Sequence, residues 1–140
     1  MKSLLLIGGG GHCKSCIDVI EAEGKYKIAG IVNQTDGCGE SVLGYEVLGD
    51  DGDLPELFKK YTIALITVGH IKSADLRVKL FQQLRSLGFE LATIISPCAY
   101  VSKNASLGAG TIVMHDSLVN AGAKIGNNCI LNTKSLVEHD

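Results

Sequence analysis

The sequence predicts an α/β protein in two parts: a parallel sheet with helices over residues 1–95, and the first coils of a parallel β-solenoid over residues 96–140. Two observations carry this reading. The first is a six-residue period near the carboxy terminus, where Ile95, Val101, Leu107, Val113, Val119, Ile125, Leu131 and Val137 form an unbroken aliphatic column. A second column, four residues on, holds small side chains at Ala99, Ala105, Thr111, Ser117, Ala123, Cys129 and Ser135. A six-residue unit is too short to bury its own apolar residue, so such units gain a core only by stacking. The second observation is a strand, glycine turn, helix and strand near the amino terminus, which together make a β-α-β unit of the nucleotide-binding kind.

Taken in order, residues 2–7 are a nearly continuous apolar run ending at Gly8-Gly9-Gly10-Gly11, the pattern of a buried parallel strand and a tight turn. Residues 12–23 place Cys13, Cys16, Ile17 and Ile20 at helical spacing and stop at Gly24. Residues 27–32 form the second strand. Glycines in such a turn let the backbone approach a phosphate while the helix amino terminus offers N–H groups. The fingerprint G-x-G-x-x-G is incomplete, because Cys13 stands where the third glycine belongs. Asn33 replaces the acid that grips the ribose of a nicotinamide dinucleotide. The motif therefore points to a different nucleotide or phosphate ligand, the plainer alternative being a tight turn alone.

Further along, residues 34–50 read as a loop with a short edge strand at 45–48, and Asp53 reads as a helix N-cap with Pro55 and Glu56 behind it. Residues 62–68 form another apolar strand ending at Gly69-His70. The helix expected over 73–87 lines up Leu76, Leu80, Leu84 and Leu87 and ends at Gly88. Residues 90–95 are expected to close the sheet, and Ser96-Pro97 to break the alternation of strand and helix.

Composition narrows the function classes. With 46% apolar and 20% charged residues among 140, the chain reads as a soluble globular protein of about one domain's length. Its net charge of −2 and lack of any Lys/Arg run argue against a nucleic-acid partner. The apolar run after Lys2 is too short for a signal-peptide core or a membrane span, which points to the cytoplasm. Five scattered cysteines, Cys13, Cys16, Cys38, Cys98 and Cys129, are expected as reduced thiols. Cys13 and Cys16 make a C-x-x-C in the first turn of a helix, either as small packing residues or as a redox pair. No metal site is expected, since only His12 lies near them.

The hexads Leu107-Gly108-Ala109-Gly110-Thr111 and Ile125-Gly126-Asn127-Asn128-Cys129 resemble the repeat of left-handed β-helix acyltransferases. In those enzymes three hexads make one triangular coil, and prisms pack side by side as trimers. Four stretches in this order, I-G-G-G-G-H, V-G-H-I-K-S-A-D-L-R, I-I-S-P-C-A-Y-V-S and I-L-N-T-K-S-L-V-E-H-D, make the whole chain similar to bacterial sugar acetyltransferases of the sialic acid O-acetyltransferase type, the NeuD- and PglD-like family. That family includes amino-sugar N-acetyltransferases of surface-glycan pathways.

The resemblance implies an acetyl-CoA-dependent transferase acting on a nucleotide-activated amino sugar or a sialic-acid-like sugar. His139 matches the family's general base, with Asp140 or Glu138 as its carboxylate partner and Asn132 as a substrate or oxyanion contact. The amino-terminal part would hold a UDP-sugar, with Gly8, Gly9, Gly10, Gly11, His12 and Gly69 near its phosphates or sugar. Asn33 and Gln34 stand where the family often has acids that touch the base. Arg77 matches a recurrent arginine, for which a phosphate contact and a surface role are both open, and His115 is expected at the surface or an interface. The resemblance also implies further coils beyond Asp140, carrying most of the acetyl-CoA site, and a homotrimer. Competing readings are a non-catalytic nucleotide-sugar-binding or regulatory module, an inactive fragment of the transferase, and a dithiol redox domain.

Overall fold

The structure is a computed structural model that describes residues 1–33, 40–69 and 74–138; Gln34, His70, His139 and Asp140 lie outside them. β1 (Lys2–Ile7) and β2 (Tyr26–Val32) pair in parallel across the helix α1 (Gly11–Glu23). β3 (Ser41–Val42) turns back antiparallel onto β4 (Tyr45–Gly49), which adds in parallel to β2. β5 (Ile63–Ile66) flanks β1 on the other side and β6 (Glu90–Leu91) ends the sheet, giving the order β3-β4-β2-β1-β5-β6. α2 (Leu54–Phe58) and α3 (Ala74–Leu87) complete this part.

Side chains on β1 alternate between two cores, which is why its sequence is apolar throughout. Leu4 and Leu6 join Cys13, Cys16, Ile17 and Ile20 of α1. Leu5 and Ile7 join Leu80 and Leu84 of α3 and Leu54 of α2 on the opposite face. α1 stops at Gly24, whose φ of 72° no branched residue would adopt cheaply and whose N–H caps Ile20 O at 3.1 Å.

Three local expectations are corrected. The segment at 45–48 is not the sheet edge, because β3 covers it. Asp53 does stand at the N-cap position of α2 with Pro55 and Glu56 in the first turn, but the side-chain capping box forms one turn earlier, where Asp50 Oδ1 accepts the Gly52 N–H at 2.9 Å and Asp53 Oδ2 accepts the Asp50 N–H at 2.9 Å. A 3-10 turn (Asp51–Asp53) therefore precedes α2, and Asp53 makes no side-chain bond to that helix. Residues 90–95 are not one strand. The Ala92 N–H still bonds Ala64 O in the sheet, but the Ile94 N–H bonds Thr111 O, so the backbone changes partners within two residues.

Ile94–Ile95 is thus β7, the first strand of a parallel β-helix. It stacks with β10 (Ile112–Val113) and β13 (Ile130–Leu131). A second stack holds β8 (Tyr100–Val101), β11 (Leu118–Val119) and β14 (Leu136–Val137), and a third holds β9 (Ser106–Leu107) and β12 (Lys124–Ile125). Ile94 pairs with Ile112 and Ile112 with Ile130, so one coil takes three hexads. The second residue of each strand is the one in the aliphatic column, and Val113 and Val119, sealed by coils on both sides, are 0% exposed. The sheet part docks on the β7/β10/β13 stack through α1, where Ile94, Ile112 and Met114 enter the same core as Cys13 and Ile17.

Candidate functional site

A cavity of about 380 Å³ opens at the carboxyl ends of β1, β2 and β5, where open parallel sheets bind ligands. It gathers Gly8, Gly9, Gly10, Gly11, His12, Asn33 and Gly69 from separate parts of the sequence. Ile7, Val32, Thr67, Val68, Leu76 and Leu80 complete its walls, and His12 is the one Asp, Glu, Lys, Arg or His among these described lining residues.

The four glycines do different jobs. Gly8 is architectural: its φ is 123°, a Cβ there would meet Val68 Cγ2 at 2.5 Å, and its carbonyl accepts the buried Thr67 hydroxyl at 2.6 Å. Beside Gly9, Asn33 Nδ2 would lie 2.9 Å from an added Cβ, so the Asn33 amide rests over the loop. Gly10 and Gly11 have open space in the direction of a side chain. Gly10 also heads α1 without any side-chain cap, leaving the amino end of a thirteen-residue helix directed at the cavity. Such a terminus attracts an anion through its N–H groups and its dipole. His12 sits on the first turn with Nε2 3.3 Å from Cys16 Sγ, and its Cβ is 3.4 Å from the point a Gly69 Cβ would occupy.

Arg77 is not a surface residue, and it does not line the cavity. Its side chain is 1% exposed, and its guanidinium donates to Ile66 O, Val68 O, Asn128 O and Asn128 Oδ1 behind the cavity wall. Burial lowers its pKa, since the surroundings disfavour the charged form. His115 is likewise no free surface residue but a link within the fold. Its Nδ1 lies 2.5 Å from Ser96 Oγ and its Nε2 3.4 Å from Asp18 Oδ2 on α1. A serine, histidine and aspartate in line suggest a nucleophile, yet Ser96 is 1% exposed and its Oγ also accepts the Cys98 N–H.

The cysteine pair is packing. Cys13 and Cys16 are both fully buried free thiols. Burial pushes the Cys16 thiol up to about 12 and raises that of Cys13, the opposite of what a redox dithiol requires. Among the described residues no cluster of His, Cys, Asp and Glu could hold a metal ion, and no helix is long and apolar enough to cross a membrane.

On the solenoid, Asn132 is exposed at the corner after β13, where its carbonyl accepts the Ser117 hydroxyl at 2.7 Å. Glu138 is exposed just after β14. His139 and Asp140 lie outside the described residues, so Asn132 and Glu138 are seen without them. Thr67, Val68, Leu76 and Leu80 were missed as site residues because they read as core; the clue available was their position at the end of β5 and on the following helix.

The chain matches the PglD N-terminal domain family over residues 3–84, more than half its length. Among solved structures it is similar to PerB from Caulobacter crescentus, crystallised with CoA and GDP-perosamine, at 37% identity and a TM-score of 0.90, covering 100% of this chain and 64% of that one. It is also similar to the acetyltransferase domain of PglB from Neisseria gonorrhoeae, in complex with acetyl coenzyme A, at 33% identity and a TM-score of 0.86, covering 99% of this chain and 65% of that one. The chain therefore spans just under two thirds of the length of these relatives. By its sequence match over residues 3–84 and by a fold shared along its whole length, the chain belongs to the PglD N-terminal domain family.

Proposed function

We propose that this chain forms the nucleotide-sugar site and the first coils of an acetyl-CoA-dependent acetyltransferase. Its substrate would be a nucleotide-linked amino sugar or sialic-acid-like sugar of surface glycans, and the protein would act in the cytoplasm. The observation that carries the reading is the glycine-rimmed cavity at the open end of α1, in a part joined directly to a β-helix. A nucleoside diphosphate would be held by backbone N–H groups and His12, with Asn33 toward the nucleoside. Uridine is the base expected from family resemblance. PerB was crystallised with a guanosine-linked sugar, so both belong in the test.

In the proposed step the sugar nitrogen or hydroxyl oxygen attacks the thioester carbonyl of the acetyl donor. His139 takes the proton, a new N–C or O–C bond forms, the C–S bond breaks, and the proton passes to the leaving CoA sulfur. Asp140 or Glu138 would hold the imidazole in the basic tautomer, and Asn132 would donate to the developing oxyanion. PerB has been solved with one histidine replaced by asparagine and by alanine, each with CoA and GDP-perosamine, which fits a histidine of interest at a site that keeps its ligands. A homotrimer is supported by the outward column Tyr100, Leu118 and Leu136, which leaves apolar surface exposed on one face of the prism.

The test is calorimetry and thiol-release kinetics on the whole gene product with UDP- and GDP-linked amino sugars. His139→Ala should keep nucleotide-sugar binding and lose turnover, by about 100-fold or more for loss of a general base. Unchanged turnover would remove His139 from the mechanism. Tight binding with no acetyl transfer in the wild type would favour a binding module.

A further inference from the structure

We infer that Arg77 is a positioning residue that locks the nucleotide-sugar cavity to the β-helix, so that a sugar bound in one is held at a fixed place relative to the other. This deepens the acetyltransferase reading and rests on it. The guanidinium reaches in two directions. Nη1 donates to Ile66 O at 3.3 Å and Val68 O at 2.6 Å, at the end of β5 that forms the cavity wall. Nη2 donates to Asn128 O at 3.1 Å and Asn128 Oδ1 at 2.7 Å, at the corner between β12 and β13, and Asn128 Nδ2 returns a bond to Arg77 O at 3.0 Å. Asn128 in turn ties two coils together, its N–H bonding Ala109 O at 2.8 Å. The neighbours of Arg77 on α3, Leu76 and Leu80, line the same cavity.

Energetics argue that stability alone does not account for this residue. All the acceptors are neutral oxygens, Nε finds none among the described residues, and the side chain is 1% exposed. A buried cation without a carboxylate costs more than an apolar side chain of similar volume would. What an apolar residue cannot supply is a rigid planar fork that fixes β5 and the solenoid corner in one geometry. Two other polar links across the junction, Glu23 to the Ile95 N–H and Asp18 through His115 to Ser96, join α1 to the solenoid without touching the cavity wall.

Asn128 provides the cleaner variant, because Arg77 would keep its bonds to β5. Asn128 has a φ of 57°, which Gly and Asp also tolerate. Asn128→Gly removes the side-chain half of the link, and Asn128→Asp restores an acceptor. In the ligand-free protein, native-state hydrogen exchange at the amides of residues 63–69 should speed up roughly tenfold in Asn128→Gly and stay near wild type in Asn128→Asp. Unchanged exchange at those amides overturns the inference whatever the activity.

With saturating acetyl donor, Asn128→Gly should lower kcat for transfer roughly tenfold or more while KM for the nucleotide sugar moves by less than about threefold, with Asn128→Asp recovering kcat. An unchanged kcat, or kcat intact with KM raised, overturns it too. A wild-type protein that binds the nucleotide sugar but transfers nothing would instead sink the acetyltransferase reading, and the exchange experiment would still decide the role of Arg77.

Discussion

Two faces of the β-helix share one construction and differ in what covers them. On β7, β10 and β13 the outward residues are Ile94, Ile112 and Ile130, and the first two are completely buried beneath α1. On β8, β11 and β14 the outward residues Tyr100, Leu118 and Leu136 are paired in the same register but remain 57%, 37% and 61% exposed. The third stack carries Ser106 and Lys124 outward, as a solvated face should. The hexad dictates only the inward residue of each strand; the outward one records its neighbour. The isoleucine face is where the sheet docks, and each buried isoleucine there contributes about 1.5–3 kcal/mol. The Tyr100 face has the same apolar character and stays exposed among the described residues, which is why it is the proposed trimer surface.

That contrast can be broken from either side. The largest effect is expected at the covered face, where Ile112→Ala should lower the free energy of unfolding by about 2–5 kcal/mol in chemical denaturation. A loss below 1 kcal/mol would mean that α1 is not firmly seated there. Next is Glu23→Ala. The Glu23 carboxylate is nearly buried and accepts the Ile95 N–H at 3.1 Å, so its removal strands that donor at the junction. The expected cost is about 1–3 kcal/mol.

A smaller, pH-dependent effect comes from Cys16, which packs beneath the covered face. Burial holds its thiol up at about 12 against an ordinary value of 9.0. The folded state thus binds the proton more tightly than the unfolded state. Stability from this group is fully present below pH 9 and falls as pH rises from 9 toward 12. Denaturation midpoints measured across that range should decline in the wild type and decline less in Cys16→Ala. The smallest effect on a single chain is expected at the open face. Leu118→Lys should change monomer stability by less than about 0.5 kcal/mol yet abolish self-association in sedimentation. A trimer that survives this change places its interface elsewhere.

These faces also show what the sequence could and could not reveal. The inward column was legible because every member must be aliphatic, whereas three hexads to a coil came from the family resemblance, and the register Ile94–Ile112–Ile130 shows it. Whether Ile94 or Tyr100 is covered depends on a helix some 80 residues upstream, which no local pattern encodes. The same limit explains Arg77, a buried polar residue in an amphipathic helix whose partner Asn128 lies on a distant coil. Residues 90–95 look like one strand because Leu91, Ile94 and Ile95 are all apolar, yet they serve two different sheets. At the cavity, Gly8 to Gly11 were readable from a motif with its own chemistry, while His12, Asn33 and Gly69 came from the family resemblance. Val68 and Leu80 were not, since apolar wall and apolar core have the same sequence signature.

The claim that most depends on the cavity is that its glycine rim receives a nucleoside-diphosphate sugar, and Gly11→Leu addresses it directly. A Cβ at Gly11 meets nothing within 4 Å, so the fold should accept the side chain, and a helical position should gain from losing a glycine. Calorimetric titration with UDP- and GDP-linked amino sugars should show the wild type binding at least one of them. The Gly11→Leu protein should bind at least tenfold more weakly, roughly 1.4 kcal/mol, with its melting temperature unchanged or higher. Equal affinity in the two proteins would contradict the account.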